Sequence, residues 1–152
     1  MRALRLLATL ALLAPCAGHP QSLYLINHQG LSFGRFAAGS GGTVTVTPTG
    51  ARSSSGPIYL LSASSGQEAR YTITGGSDLA YSITLPADDS VTLSSGTGPT
   101  MVVTRFTSGP ASTGQFGPTG AQAIAVGATL NISANQPAGN YGGSYSITVN
   151  YN

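Results

Sequence analysis

Few side chains in this sequence have the chemistry for catalysis or metal binding, and their spacing limits what they can do. The two histidines, His19 and His28, both lie near the N-terminus, so a Ser-His-acid triad would have to be built on one of them. A solvated histidine in a leading segment is the simpler reading of each. Asp88 and Asp89 are adjacent. On a strand they would point to opposite faces, and in the turn-forming run 86–90 they would bond backbone or solvent. Two neighbouring aspartates also supply too few oxygens for calcium. The lone cysteine, Cys16, excludes a Cys/His zinc cluster, and no Gly-Lys-Ser/Thr phosphate loop occurs. Asn131-Ile132-Ser133 spells a glycosylation sequon, but Ile132 falls in an apolar alternation that reads as strand core. Catalysis needs convergent titratable groups. The expectation is therefore no enzyme, no catalytic or metal-binding residues and no cofactor.

Tyrosine is the remaining functional side chain, since it can stack on sugars. There are seven tyrosines and no tryptophan. Tyr71, Tyr81, Tyr145 and Tyr151 occupy alternating positions that read as core, which leaves a glycan site open but unsupported by clustering.

The elements that would position any site begin after an export segment. Arg2 and Arg5 precede an apolar run of Leu and Ala over residues 6–13, and the small residues Cys16, Ala17 and Gly18 follow. A basic start, a short apolar middle and a small-residue end describe a secretory signal peptide, residues 1–18. The apolar run is far short of the roughly 20 residues a membrane span requires, so no integral membrane segment is expected after cleavage. Removing 18 of the 152 residues leaves 134, enough for a hydrophobic core without staples. Four arginines (Arg35, Arg52, Arg70, Arg105) then face four acids (Glu68, Asp78, Asp88, Asp89), and lysine is absent. A neutral chain with no basic patch gives no reason to expect nucleic acid as a partner. With no cysteine left after cleavage, stability must come from packing.

Period-two alternation recurs almost everywhere after residue 30. Val44 and Val46 share a face, as do Tyr71 and Ile73, and Tyr81, Ile83 and Leu85. The pairs Val91 and Leu93, Met101 and Val103, Ile124 and Val126, and Leu130 and Ile132 repeat the pattern. Alternation with β-branched and aromatic residues marks strands with one buried face. Gly-, Pro-, Asn- and Ser-rich clusters at 39–42, 53–57, 75–78, 86–90, 96–99 and 135–140 mark turns. No helical periodicity runs over a dozen residues, and 108–120 reads as an exposed loop. The fold class is all-β, an antiparallel β-sandwich of eight or nine strands. The clearest signal is the C-terminus, where Tyr141, Gly143, Tyr145, Ile147, Val149 and Tyr151 alternate with small polar residues, predicting one long strand over 141–151.

Two motifs carry a resemblance. Leu31-Ser-Phe-Gly34 followed by Gly39-Ser-Gly-Gly-Thr-Val-Thr-Val46 opens the domain, and Ala134-Asn-Gln-Pro-Ala-Gly-Asn-Tyr141 with the alternating tail closes it. Together with Val103–Phe106 and Val126-Gly-Ala-Thr-Leu130, they resemble secreted bacterial domain-of-unknown-function family 4402 over about residues 31–152. The pattern is similar to the pilin-like subunits of chaperone–usher fimbriae. That resemblance implies an incomplete immunoglobulin-like sandwich whose missing strand comes from the N-terminal extension of the next subunit. It further implies a structural fibre subunit active in cell adhesion, exported to the periplasm, cell surface or extracellular fibre. The implied partners are neighbouring fibre subunits or further copies of itself, a periplasmic chaperone and an outer-membrane usher.

The domain organisation then reads as signal peptide 1–18, extension 19–30 and sandwich 31–152. The candidate assembly residues are Leu23 and Leu25 on the extension, and Leu31, Phe33, Tyr145, Ile147, Val149 and Tyr151 on the sandwich. Two alternatives stay open. The run Leu23-Tyr24-Leu25-Ile26 is continuous rather than alternating, so the extension is either a donor strand or the domain's own first strand. The chain as a whole is either a fibre subunit or a self-contained secreted binding module, with glycans as candidate ligands.

Overall fold

The computed structural model describes residues 21–96 and 98–152. The export segment, Cys16 and His19 lie outside these residues. The described residues form antiparallel β-structure with no helix, an arrangement consistent with a β-sandwich. In chain order the strands are β1 (Tyr24–Gln29), β2 (Phe36–Ala38), β3 (Gly42–Val46), β4 (Arg52–Ser55), β5 (Ile58–Leu60) and β6 (Ala69–Thr74). They continue as β7 (Ala80–Thr84), β8 (Val91–Leu93), β9 (Met101–Gly109), β10 (Thr113–Gln115), β11 (Ala121–Ile132) and β12 (Thr148–Tyr151).

The large sheet is organised around β11, the longest strand. One edge of β11 pairs with β6 over Ala121–Val126 and then with β3 over Ala128–Ile132. Its other edge pairs with β9. The changeover falls at Gly127, where a Cβ would collide with the Val46 carbonyl oxygen and the Thr47–Pro48 backbone, so glycine is required by close approach. Outward from this centre, β1 extends β6, β4 extends β3 and β8 extends β9.

Side-chain alternation along these strands builds two core clusters. The first holds Phe33, Val44, Val46, Ile58, Val91, Met101, Val103 and Leu130. The second holds Ala69, Tyr71, Ile73, Tyr81, Ile83, Phe116, Ile124 and Val126. A three-stranded sheet, β10-β7-β12, covers the second cluster through Tyr81 and Ile83. The first cluster is covered only by the short β2–β5 pair and its flanking segments. The roof is thus complete at one end and partial at the other.

Several expectations need correction. Among the described residues twelve strands are present rather than eight or nine, because the edges of the fold break into three-residue pieces. Residues 52–55, read as entering a turn, are strand β4 paired with β3. Its run Arg-Ser-Ser-Ser lies largely exposed at a sheet edge, so no apolar alternation announces it. The presumed loop 108–120 contains the end of β9, all of β10 and the buried Phe116. The long C-terminal strand is also shorter than predicted. Gly142 makes an isolated bridge to Ser94, and regular pairing resumes only at β12, against β7.

The facing of that C-terminal segment nevertheless follows the alternation. Tyr145, Ile147, Val149 and Tyr151 are half-buried, while Ser144, Ser146, Thr148 and Asn150 are exposed. Val149 packs against the second cluster without being fully enclosed, because β12 has a strand neighbour on one edge only. Val149→Ala is therefore expected to cost about 1 kcal/mol, and Thr148→Ala less than about 0.5 kcal/mol. Urea melts of the two variants check the register, and the reverse order would contradict it.

Candidate functional site

The incomplete roof over the first cluster leaves a groove of about 840 Å³. One wall is the segment 31–38 and the other is formed by 136–143 with Tyr145. Between them, Val91, Met101, Val103 and Leu130 belong to the buried core, so the groove opens onto the hydrophobic interior. Arg35 is the one charged residue in its lining.

Among the described residues each wall has a stretch of backbone outside the strand ladders, beside the isolated bridges Ser32–Gln67 and Gly142–Ser94. On one side, β2 pairs with β5 along one edge and with no strand along the other. On the opposite side, no ladder includes residues 143–147, although their side chains alternate as a strand's do. Unpaired edges of this kind are templates for an incoming strand. The first wall is shaped by Gly34, whose φ is +70°. That kink lets Phe33 and Phe36, three residues apart, both turn toward the first cluster, where regular alternation would have separated them.

Three side chains join the two clusters at the groove. Leu31, Phe106 and Tyr145 each pack against both. The Tyr145 ring lies 5.2 Å from the Phe106 ring, and its hydroxyl accepts a hydrogen bond from the Tyr71 hydroxyl at 2.8 Å. Burial pushes the Tyr145 phenol far above its ordinary range and keeps it neutral.

Among the predicted assembly residues, Leu31, Phe33 and Tyr145 come together at the groove. Ile147, Val149 and Tyr151 pack on the second cluster instead, where Tyr151 lies edge-on to Phe116 and its hydroxyl accepts the Gly76 N–H at 2.8 Å. Leu23 and Leu25 lie elsewhere. Strand β1 pairs with β6 of its own chain, the second of the two alternatives the sequence left open for this segment. Leu23 packs partly on the second cluster, while Tyr24, Leu25 and Ile26 stay 61%, 41% and 50% exposed. The floor residues Val91, Met101, Val103 and Leu130 were legible as core but not as groove lining. Arg52, which lies behind the first wall, gave no signal beyond being a charged residue in a serine run.

The four acidic residues and His28 do not line the groove. Glu68, itself buried, pairs with Arg70 at 2.6 Å. A main-chain hydrogen bond at residue 68, and then Arg70, hold its carboxyl below the usual value. His28 Nε2 lies 2.9 Å from the Thr72 hydroxyl. Asp88 accepts the Arg105 N–H at 2.7 Å, the backbone role expected of a turn aspartate. Among the described residues, no three His, Cys, Asp or Glu side chains gather in one place.

Comparison with known proteins adds one positive result. A family model described as Domain of unknown function (DUF4402) matches residues 23–151. No curated protein and no solved structure matches the chain.

Proposed function

The chain belongs to the DUF4402 family, and we propose that it is a non-catalytic structural subunit of a bacterial surface fibre, exported and assembled by strand donation. The observation that carries this reading is the groove open to the first core cluster, flanked by the free edge of β2 and by residues 143–147, which lie in no ladder among the described residues. An entering strand would gain main-chain hydrogen bonds from the edges and bury alternate side chains in the floor. The occupant we assign is the N-terminal segment, residues 19–30, of a second copy. Strand β1 has apolar side chains on both faces, a pattern suited to a strand covered on both sides. In its place on β6, Tyr24, Leu25 and Ile26 remain substantially exposed. The segment thus leaves unsatisfied apolar surface where it sits, and the groove offers unsatisfied apolar surface where it is empty. A fibre follows because each copy has one donor and one acceptor, and a head-to-tail contact does not close on itself.

The test uses the exported full chain and a synthetic peptide of residues 22–30. Sedimentation or size-exclusion chromatography should show oligomers that lengthen with concentration, and excess peptide should cap and shorten them. A chain that stays monomeric at every concentration and binds no peptide would overturn the fibre. A secreted binding module, with glycans as the ligands to screen, would then be the better reading.

A further inference from the structure

Behind the groove's first wall, beside the main-chain hydrogen bonds that hold it, one side chain with no acidic partner ties its pieces together. Arg52 projects from edge strand β4. Its Nη1 lies 2.8 Å from the Ser64 carbonyl oxygen, 3.1 Å from that of Phe33 and 3.3 Å from that of Arg35. Its Nη2 donates to the Leu61 carbonyl oxygen at 3.0 Å. Among the described residues the one ion pair joins Arg70 to Glu68, so the Arg52 cation is engaged by main-chain carbonyls alone.

These four carbonyls come from two separate pieces of chain, residues 33–35 and 61–64. The kink at Gly34 leaves the Phe33 carbonyl out of any strand ladder, and the loop 61–64 turns its own carbonyls inward. A planar fork with five N–H donors can serve both pieces together, which a single ammonium on a flexible stem cannot do with the same geometry. Gly34 completes the fit, because a Cβ there would collide with Arg52 Nη1 and the Ser64 carbonyl.

We propose that Arg52 is the positioning residue of the acceptor groove: it fixes the wall segment 31–36 against the loop 61–64 and so sets the spacing an incoming strand must match. The inference rests on the strand-donation reading for its functional consequence, while the wall-holding role stands on the geometry alone. Arg52 acts from behind the wall, since it is not among the groove's lining residues.

The test compares Arg52→Met and Arg52→Lys with Ile83→Val in the full chain. Ile83 belongs to the second cluster, so its truncation lowers general stability without touching the wall. Two readouts are taken. One is hydrogen exchange at the Arg35 and Leu61 amides, which donate to the Ser64 and Arg35 carbonyls. The other is the affinity for the peptide of residues 22–30. Arg52→Met should exchange faster at these two amides and bind the peptide about tenfold more weakly, the scale of losing one charge-assisted hydrogen bond. Arg52→Lys should fall between it and the unmodified chain, and it carries the test alone if the Met variant does not fold. Ile83→Val should change neither readout. Unchanged exchange in the Arg52 variants overturns the proposal, as does equal weakening by Ile83→Val. If the unmodified chain binds no peptide while Arg52 variants still exchange faster at the wall, the clamp stands and the fibre reading falls.

Discussion

Phe116→Ala is expected to cost about 3–5 kcal/mol, the scale for truncating a fully buried aromatic, and to leave little margin in a domain whose total stability lies at about 5–15 kcal/mol. Phe116 is 1% exposed, and its ring lies 4.8 Å from that of Tyr81 and 6.2 Å from that of Tyr151. It therefore joins β7, β12 and the large sheet through one side chain. Its N–H also donates to the Leu79 carbonyl at 2.9 Å, which ties the end of β10 to the start of β7. Equilibrium urea melts should show the midpoint falling with little change in slope. Leu79→Ala, at a position exposed to solvent, should cost less than about 1 kcal/mol. A Phe116 loss no larger than that of Leu79 would mean that the second cluster does not depend on it.

Phe116 also shows where sequence reading stops. It stands alone among Gly, Pro, Ser and Thr in the run 108–120, and a single aromatic has no periodicity. Its burial is decided by β10, three residues long and paired to β7 some thirty positions earlier. Where local pattern and burial coincide, as at Val44 and Val46 or Tyr71 and Ile73, alternation identified the buried face directly. It failed at β4, whose serines leave solvent-exposed faces that look like a turn. It half-succeeded at the C-terminus. Side-chain facing over 145–151 follows the sequence, but whether that segment has a partner depends on what lies beside it.

The groove is the extreme case of this limit. Its walls are about a hundred residues apart in sequence, and it opens where the first cluster is covered only by the short β2–β5 pair and its flanking segments. Leu31 and Phe33 stand in the opening motif that carries the family resemblance and Tyr145 in the alternating tail, and the fold brings them to one opening. Nothing in the pattern distinguishes them from Ile147 or Val149, which pack on the closed cluster. Placing β1 was equally beyond the pattern. A run that is apolar on both faces states that it should be covered, without stating by which surface.

Replacing Leu23 and Leu25 together by Asp is expected to abolish assembly while leaving the domain folded. In its place on β6, β1 contributes little to the core: Leu25 is largely exposed, and Leu23 is only half-buried at the margin of the second cluster. Two carboxylates there remain in contact with water and should cost the isolated domain no more than about 1–2 kcal/mol. In a neighbour's groove the same positions would face Val91, Met101, Val103 and Leu130. Each leucine buried there contributes about 1.5–3 kcal/mol, and an unpaired carboxylate in its stead carries a far larger desolvation cost. The two locations therefore predict opposite ratios of effect. Donation between copies gives a folded monomer by circular dichroism that no longer oligomerises at any concentration. A segment that works only within its own chain gives a modestly destabilised domain whose oligomeric state matches that of the unmodified protein, and that result would remove the N-terminal segment as the donor.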